Sequence, residues 1–179
     1  MTPSNYVPGI RRRQFTPLYD TYVKAASALP ATIQMFGNVA GSAGINITNM
    51  KKAYELPGTE KFTLYALRVV PLAITEADWI LLIKGYIVRL IRGRVVELEA
   101  GLEYFAGGAG ISTPTAASVA VNNGIPDPRA VASLPQSDPI VIEGGDTFEV
   151  NLVGPAAVTV AAAVWLRVYL DGAFDKGVQ

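Results

Sequence analysis

Apolar and polar side chains alternate along a stretch near the C-terminus of the chain. From Val158 to Leu170 every even-numbered position is Val, Leu or Ala, whereas the odd-numbered positions carry small, aromatic or polar side chains. Because successive side chains of a β-strand point to opposite faces, this pattern predicts a long strand over Ala157–Asp171 with one aliphatic face. A bend is expected within Ala161–Ala163, where the side chains are small. A membrane-spanning helix is disfavoured, because the period is two and the uncharged run Val150–Leu166 contains glycine and proline.

The same alternation predicts further strands. Phe148, Val150 and Leu152 share one face of the segment Asp146–Val153, which follows a turn at Gly144-Gly145. The other predicted strands are Ala31–Phe36, Ile45–Thr48, Lys61–Leu72 and Pro139–Ile142.

Helical signals are few. Thr16-Pro17 has the N-cap and first-turn proline of a helix, which predicts a short helix over Pro17–Ala28. Thr75 resembles a second N-cap. The run Trp79–Lys84 that follows it is compatible either with a helical turn or with the start of a strand.

The segment Tyr86–Leu102 predicts a β-hairpin around Gly93. A two-residue loop that begins at Gly93 would set Leu90 opposite Glu97, which places an apolar and an acidic side chain on one face. A three-residue loop centred on Gly93 instead pairs Leu90 with Val96 and sets an arginine opposite Glu97. The side-chain pairing therefore favours the longer loop.

Together these elements predict an all-β fold. About seven or eight short strands with Gly/Pro turns and little helix are typical of an antiparallel β-sandwich or single jelly roll. This domain is predicted to span residues 31–172, after an N-terminal arm with the short helix (residues 1–30) and before a C-terminal tail (residues 173–179). Within it, Tyr104–Pro139 is nearly uncharged and rich in Gly, Ala and Pro, which predicts a long loop packed on the domain or on a neighbouring subunit.

Composition narrows the function. The chain has 179 residues with 15 basic and 15 acidic side chains, so its overall charge does not attract nucleic acid. Only 17% of residues are charged and 50% are hydrophobic, which predicts a surface partly covered by other subunits. Cysteine and histidine are absent, which excludes disulfides, the usual general base and the metal site of a cupin. The polar N-terminal segment lacks the apolar core of a secretory signal.

Acidic residues provide weak candidates for chemistry. Glu97, Glu99 and Glu103 have a spacing compatible with a carboxylate pair for glycoside hydrolysis, but exposed acids on a sheet ordinarily face solvent. Glu143 and Asp146 flank a Gly-Gly turn and supply too few oxygens for calcium. We therefore expect no catalytic, metal or cofactor-binding residue and no cofactor, and we expect that the protein is not an enzyme.

Two segments are candidate contact regions. Arg11, Arg12 and Arg13 are predicted to contact phosphate, of nucleic acid or of lipid, or to form a solvated or subunit-bridging patch. The latter is favoured because three arginines are fewer than the basic runs of nucleic-acid sites. The long loop has a glycine run without the Lys and Ser/Thr of a phosphate-binding loop. Its candidate subunit contacts are Gly107, Gly108, Gly110, Pro126 and Pro128.

The order of features from Gly85 onward is distinctive. A glycine-centred hairpin and the Gly/Ala/Pro-rich loop precede Ile140-Val141-Ile142, the segment Gly144–Leu152 and a long strand that ends in Leu170-Asp171-Gly172. In this order the chain resembles the single jelly-roll major capsid proteins of tailless, icosahedral, membrane-containing bacteriophages. The resemblance implies a coat protein of the virion that forms homo-oligomers, either trimers or pseudo-hexameric capsomers, without a specific nucleic-acid partner. It also implies contact with an internal viral membrane. It does not specify whether a second capsid protein is a further partner.

A different class of function competes with the shell. A carbohydrate-binding sandwich would use Trp79, Trp165, Tyr169 or Tyr104 as a stacking platform. Phage tail or fibre components are similar to the chain at the same level. Low charge and the lack of catalytic residues favour the shell subunit, which predicts oligomers, a flat apolar flank and an extended terminus that reaches a neighbour.

Overall fold

The structure is a computed structural model that describes residues 11–106, 134, 139–155 and 158–177. It is a β-sandwich of two antiparallel sheets, which confirms the predicted all-β fold with little helix. Its described helices are α1 (Ala40–Ala43), α2 (Glu76–Gly85) and α3 (Leu102–Phe105). Its described strands are β1 (Arg11–Phe15), β2 (Leu18–Lys24), β3 (Thr32–Met35), β4 (Glu60–Ala73), β5 (Ile87–Arg92), β6 (Val95–Gly101), β7 (Ile140–Glu143), β8 (Phe148–Val153) and β9 (Val164–Gly177).

The order of the strands is that of a jelly roll. The larger sheet has the order β1-β9-β4-β7, with β2 also paired to β9, and the smaller sheet has the order β3-β8-β5-β6. Phe15 pairs with Ala173 and Leu18 pairs with Leu170, so β1 and β2 lie end to end along β9 as one interrupted strand. When β1 and β2 are counted as one strand, the described part of the fold has eight strands in chain order. The first, eighth, third and sixth then form one sheet, and the second, seventh, fourth and fifth form the other. This arrangement is the jelly-roll order.

The aliphatic face predicted for the last strand lies in the core. Val164, Leu166, Val168 and Leu170 are all 0% exposed. Across the sandwich they belong to one hydrophobic cluster with inward side chains of the smaller sheet, among them Val88, Leu90, Val150 and Leu152. The bend expected within Ala161–Ala163 is also present, since β9 begins only after it.

Several predictions near the ends of the chain are wrong. Leu18–Lys24 forms a strand and not the helix predicted over Pro17–Ala28, because its backbone pairs with β9 and this pairing outweighs a local cap signal. Arg11–Phe15 forms β1 and is not an irregular arm. Residues 173–177 continue β9 where a tail was predicted. Ile45–Thr48 is a turn region and not a strand.

The hairpin around Gly93 combines the two predicted geometries. Its loop has the two residues Gly93 and Arg94, so the three-residue loop is wrong. Gly93 has φ 59°, a left-handed conformation that favours glycine. The ladder then shifts by one residue at Glu97, and this β-bulge sets Leu90 opposite Leu98. The bulge thus gives Leu90 an apolar partner but not the predicted Val96, which lies opposite Ile91, and Arg89 lies opposite Glu99 and not Glu97.

The ambiguous segment after Thr75 is helical. The Thr75 hydroxyl accepts a hydrogen bond from the Asp78 backbone N–H at 3.1 Å, which is the predicted N-cap. The Asp78 carboxylate in turn accepts the Ala161 N–H, with its two oxygens at 3.1 and 3.2 Å. Helix α2 is therefore tied to the segment that leads into β9.

Gly172 allows the two central strands to approach closely. A Cβ at this position would overlap the Thr63 carbonyl oxygen and the ring of Phe62, which is 0% exposed and cannot move aside. We expect Gly172→Ala to lower the free energy of unfolding by about 1–3 kcal/mol, because overpacking strains a filled core. Urea denaturation measures the change, and Gly41→Ala is the matched control because its Cβ would meet nothing within 4 Å. Equal denaturation midpoints for the two variants would contradict this close packing.

Candidate functional site: the outer face of the larger sheet

The outer face of the larger sheet carries arginine and aromatic side chains in rows across its strands. The register places Tyr169 of β9 between Tyr19 and Arg68, and Arg167 lies opposite Thr21 and Val70. Trp165 lies opposite Val23 and Ala73, next to Leu72. We call this surface the arginine–aromatic face; its members are Tyr19, Thr21, Val23, Arg68, Val70, Leu72, Trp165, Arg167 and Tyr169.

Cations and rings alternate at the centre of this face. The Arg68 guanidinium lies 4.9 Å from the centroid of the Tyr169 ring. Arg167 lies 5.1 Å from the centroid of Tyr19 and 6.0 Å from that of Tyr169. Each such cation–π contact contributes about 0.5–1 kcal/mol at an exposed site. The contacts hold long side chains in place, so the face is preorganised.

The two central arginines differ in their electrostatic partners. Arg68 Nη2 donates to Asp171 Oδ1 at 2.8 Å, and this hydrogen bond is the main reason that the pKa of Arg68 is raised, although burial opposes the rise. Arg167 Nε donates to Thr21 Oγ1 at 2.8 Å, and its Nη2 donates to the Asn46 carbonyl oxygen. In the described part of the chain Arg167 has no ion-pair partner. Its positive charge therefore remains available on the face.

One end of the arginine–aromatic face is apolar. Val23, Trp165 and Leu72 are 45%, 39% and 38% exposed, respectively. None of the residues that define the face is a lysine or a glutamate. Enrichment in arginine and aromatic residues with depletion of lysine and glutamate is the composition of protein–protein interfaces. The face thus resembles a protein interface more than a solvated surface.

Of the predicted arginine run, Arg13 borders this face. Its guanidinium donates to the Tyr65 hydroxyl, lies 5.8 Å from the ring centroid of Phe15, and has Asp175 as its ion-pair partner at 4.0 Å. Phe15 is 73% exposed. The backbones of Arg11 and Arg12 pair with β9, and their side chains lie outside the description. Their contact with phosphate, lipid or another subunit stays a prediction.

Three of the acidic candidates, Glu97, Glu99 and Glu143, lie in separate ion pairs. Glu97 binds Arg92 with an Oε1–Nη2 distance of 2.6 Å, and Glu99 binds Arg89. Glu97 shares a surface cavity of about 380 Å³ with Asp146, whose Oδ2 accepts the backbone N–H of Glu143. Glu143 pairs with Lys61 at 2.7 Å, while Glu103 lies in α3. The described residues contain no group of three side chains suited to hold a metal ion.

The four aromatic residues considered for a stacking platform differ in exposure and position. Trp79 is 0% exposed, so its assignment to a stacking surface is wrong. Tyr169 lies beneath the two arginines, while Trp165 and Tyr104 are exposed on different elements, β9 and α3. The candidate loop contacts Gly107, Gly108, Gly110, Pro126 and Pro128 lie outside the described residues.

Comparisons with family models, with curated proteins and with solved structures find no match to this chain. The fold alone therefore defines the class of protein, a jelly-roll β-sandwich. No helix within the described ranges has the length and apolar character needed to cross a membrane.

Proposed function

We propose that the chain is a structural coat protein, copies of which assemble into the icosahedral shell of a bacteriophage. The observation that carries the proposal is a jelly roll whose outer face has the composition of a protein interface. Jelly rolls are used by viral capsid subunits, by lectin domains and by cupins. The absence of histidine argues against a metal cupin, and the burial of Trp79 removes one of the four rings considered for a lectin-like stacking site.

The proposal assigns the chain a place in the virion and no enzymatic activity. Its partners are copies of itself, in a trimer or a pseudo-hexameric capsomer, and a second capsid protein and an internal membrane are further contacts that the proposal allows. In a ring-shaped capsomer each subunit presents one surface to a different surface of its neighbour. The arginine–aromatic face is the surface that we assign to such a contact.

Assembly tests the proposal directly. Size-exclusion chromatography with light scattering is expected to show oligomers of the purified full-length chain. Electron microscopy at high protein and salt concentration is expected to show closed shells. A protein that stays monomeric under these conditions and binds saccharides would instead be a carbohydrate-binding module, and the proposal would be wrong.

A single charge at the apolar end of the arginine–aromatic face is expected to prevent assembly. In Trp165→Glu the indole contact is lost, and the new carboxylate lies beside Val23 and Leu72, where docking of a partner would remove its water. Because Trp165 is partly exposed in the single chain, the melting temperature should change by no more than about 4 °C. Light scattering measures assembly, and circular dichroism measures melting.

Leu81→Glu is the matched control for this variant. Leu81 is 49% exposed on α2, is not one of the residues that define the arginine–aromatic face, and gains the same charge. We expect it to assemble as the unmodified chain does. If both variants assemble normally, the arginine–aromatic face is not the contact between subunits.

A further inference from the structure

A cavity of about 550 Å³ opens between β2 and β3. These two strands are edge strands, since β2 pairs only with β9 and β3 pairs only with β8. Polar side chains make up much of the cavity lining, chiefly Asp20, Tyr22, Gln34, Asn38 and Tyr54. Its volume is in the range of small-molecule sites.

The amide side chains of the lining present acceptors to the cavity. Asn38 Nδ2 donates to Asp20 Oδ1 at 3.0 Å and to the Thr21 carbonyl oxygen at 3.5 Å. Gln34 Nε2 donates to Glu149 Oε2 at 2.8 Å. Among the described residues no donor bonds the side-chain carbonyl oxygens of Gln34 and Asn38, whereas Gln34 Nε2 keeps one further N–H. A ligand that donates hydrogen bonds therefore fits the two free acceptors of the lining.

The side chains in and around the cavity lining also carry negative charge. Asp20 is 1% exposed, and its carboxylate accepts only neutral N–H groups in the described part of the chain, those of Thr21, Phe36 and Asn38. None of the described residues that line the cavity is a lysine or an arginine. Arg167 is held on the outer face by Thr21, whereas Glu149 adds a second carboxylate behind Gln34. A buried carboxylate without a basic partner favours a cation in its vicinity.

We propose that this cavity binds an organic cation with several N–H donors, that is, a guanidinium or a primary ammonium group. The carbonyl oxygens of Gln34 and Asn38 are the acceptors that we assign to these donors, and Tyr22 and Tyr54 line the same space. Burial raises the pKa of the Tyr22 hydroxyl, so this group stays neutral at physiological pH. The site borders the arginine–aromatic face, with which it shares Thr21 and Val23, and its proposal does not depend on the proposed function.

The guanidinium or ammonium group can come from two sources. One is a small amine or guanidine free in solution. The other is a basic side chain of a second copy of the chain, for example Arg94, which is exposed in the β5–β6 loop.

Methylguanidinium chloride is the probe for the site. Saturation-transfer difference NMR with the full-length chain at 0.15 M NaCl detects its binding whether the protein is a monomer or a large assembly. We expect saturable binding at least about tenfold tighter than that of tetramethylammonium, which has the same charge and no N–H donor. Equal binding of the two cations would overturn the proposal.

Two lysine variants on β3 locate the binding. Gln34→Lys places an ammonium group in the cavity lining and is expected to weaken methylguanidinium binding at least about tenfold through like-charge repulsion. Thr32→Lys is the matched control, because Thr32 is exposed on the same strand and does not line the cavity. Gln34→Met, which removes the acceptor without adding charge, should weaken binding as well. If all three variants bind like the unmodified chain, the cavity is not the site.

Light scattering distinguishes the two sources. If a side chain of a second copy fills the cavity, saturating methylguanidinium lowers the mass of the assembly, whereas NaCl at the same ionic strength does not. If a free cation is the occupant, the mass stays unchanged while the NMR signal persists. Absence of the NMR signal overturns the proposal in either case.

Discussion

Replacing Asp20 with alanine is expected to lower the free energy of unfolding by about 3–5 kcal/mol, because buried donors lose their acceptor. The Asp20 carboxylate accepts the Phe36 N–H at 2.5 Å, the Thr21 N–H at 3.0 Å and the Asn38 amide at 3.0 Å. Phe36 is 0% exposed and has φ 70°, a conformation that costs a non-glycine residue about 1–3 kcal/mol. Asp20 thus holds a strained turn that joins the two sheets.

The effect is measured by urea denaturation at neutral pH, with Asp175→Ala as the matched control. Asp175 is also a strand aspartate, but its carboxylate lies 4.0 Å from Arg13 and its side chain is 24% exposed. Removing it should cost no more than about 0.5 kcal/mol. If the two variants unfold at the same urea concentration, the Asp20 contacts do not stabilise the turn.

Replacing Trp79 with alanine is expected to lower the free energy of unfolding by about 3–5 kcal/mol, because the surrounding core cannot fill the space. Trp79 is 0% exposed and is among the largest buried side chains of the described residues. Trp79→Phe isolates the packing contribution. Trp79 Nε1 has no hydrogen-bond partner in the described structure, so no bond is lost, and the cost should be well below that of alanine.

Calorimetry or urea denaturation of the two Trp79 variants gives the comparison. If Trp79→Phe costs as much as Trp79→Ala, a lost hydrogen bond of the indole dominates and the packing explanation is wrong. If the unmodified chain binds saccharides and both Trp79 variants do not, Trp79 belongs to a ligand site after all.

Part of the candidate site was predictable from local pattern. The alternation along β9 places Trp165 and Tyr169 on the face opposite the buried aliphatic residues, and the structure confirms this division. The strand at Leu18–Lys24 was not predictable in this way, because Leu18 and Asp20 share one face and the segment has no apolar–polar alternation. The Thr-Pro cap signal therefore led to the prediction of a helix.

The cavity between β2 and β3 was not predictable. Asp20, Gln34 and Asn38 have no motif spacing, and Glu149, which holds the Gln34 amide, is 115 positions away from it. The sequence does not reveal whether the folded chain will place an arginine or only neutral N–H groups around a given carboxylate. Only folding brings these groups together.

The alternation of residues was enough to predict which side chains of β9 face the core, because a strand has a period of two and burial selects the aliphatic face. The tertiary structure decided which strands lie side by side, and therefore the arginine–aromatic face, the ion pair of Arg68 with Asp171 across 103 positions, and the burial of Trp79. The physical reason is that backbone hydrogen bonds between strands are the same for every sequence. Register and neighbours follow from packing the whole core, which no local segment contains.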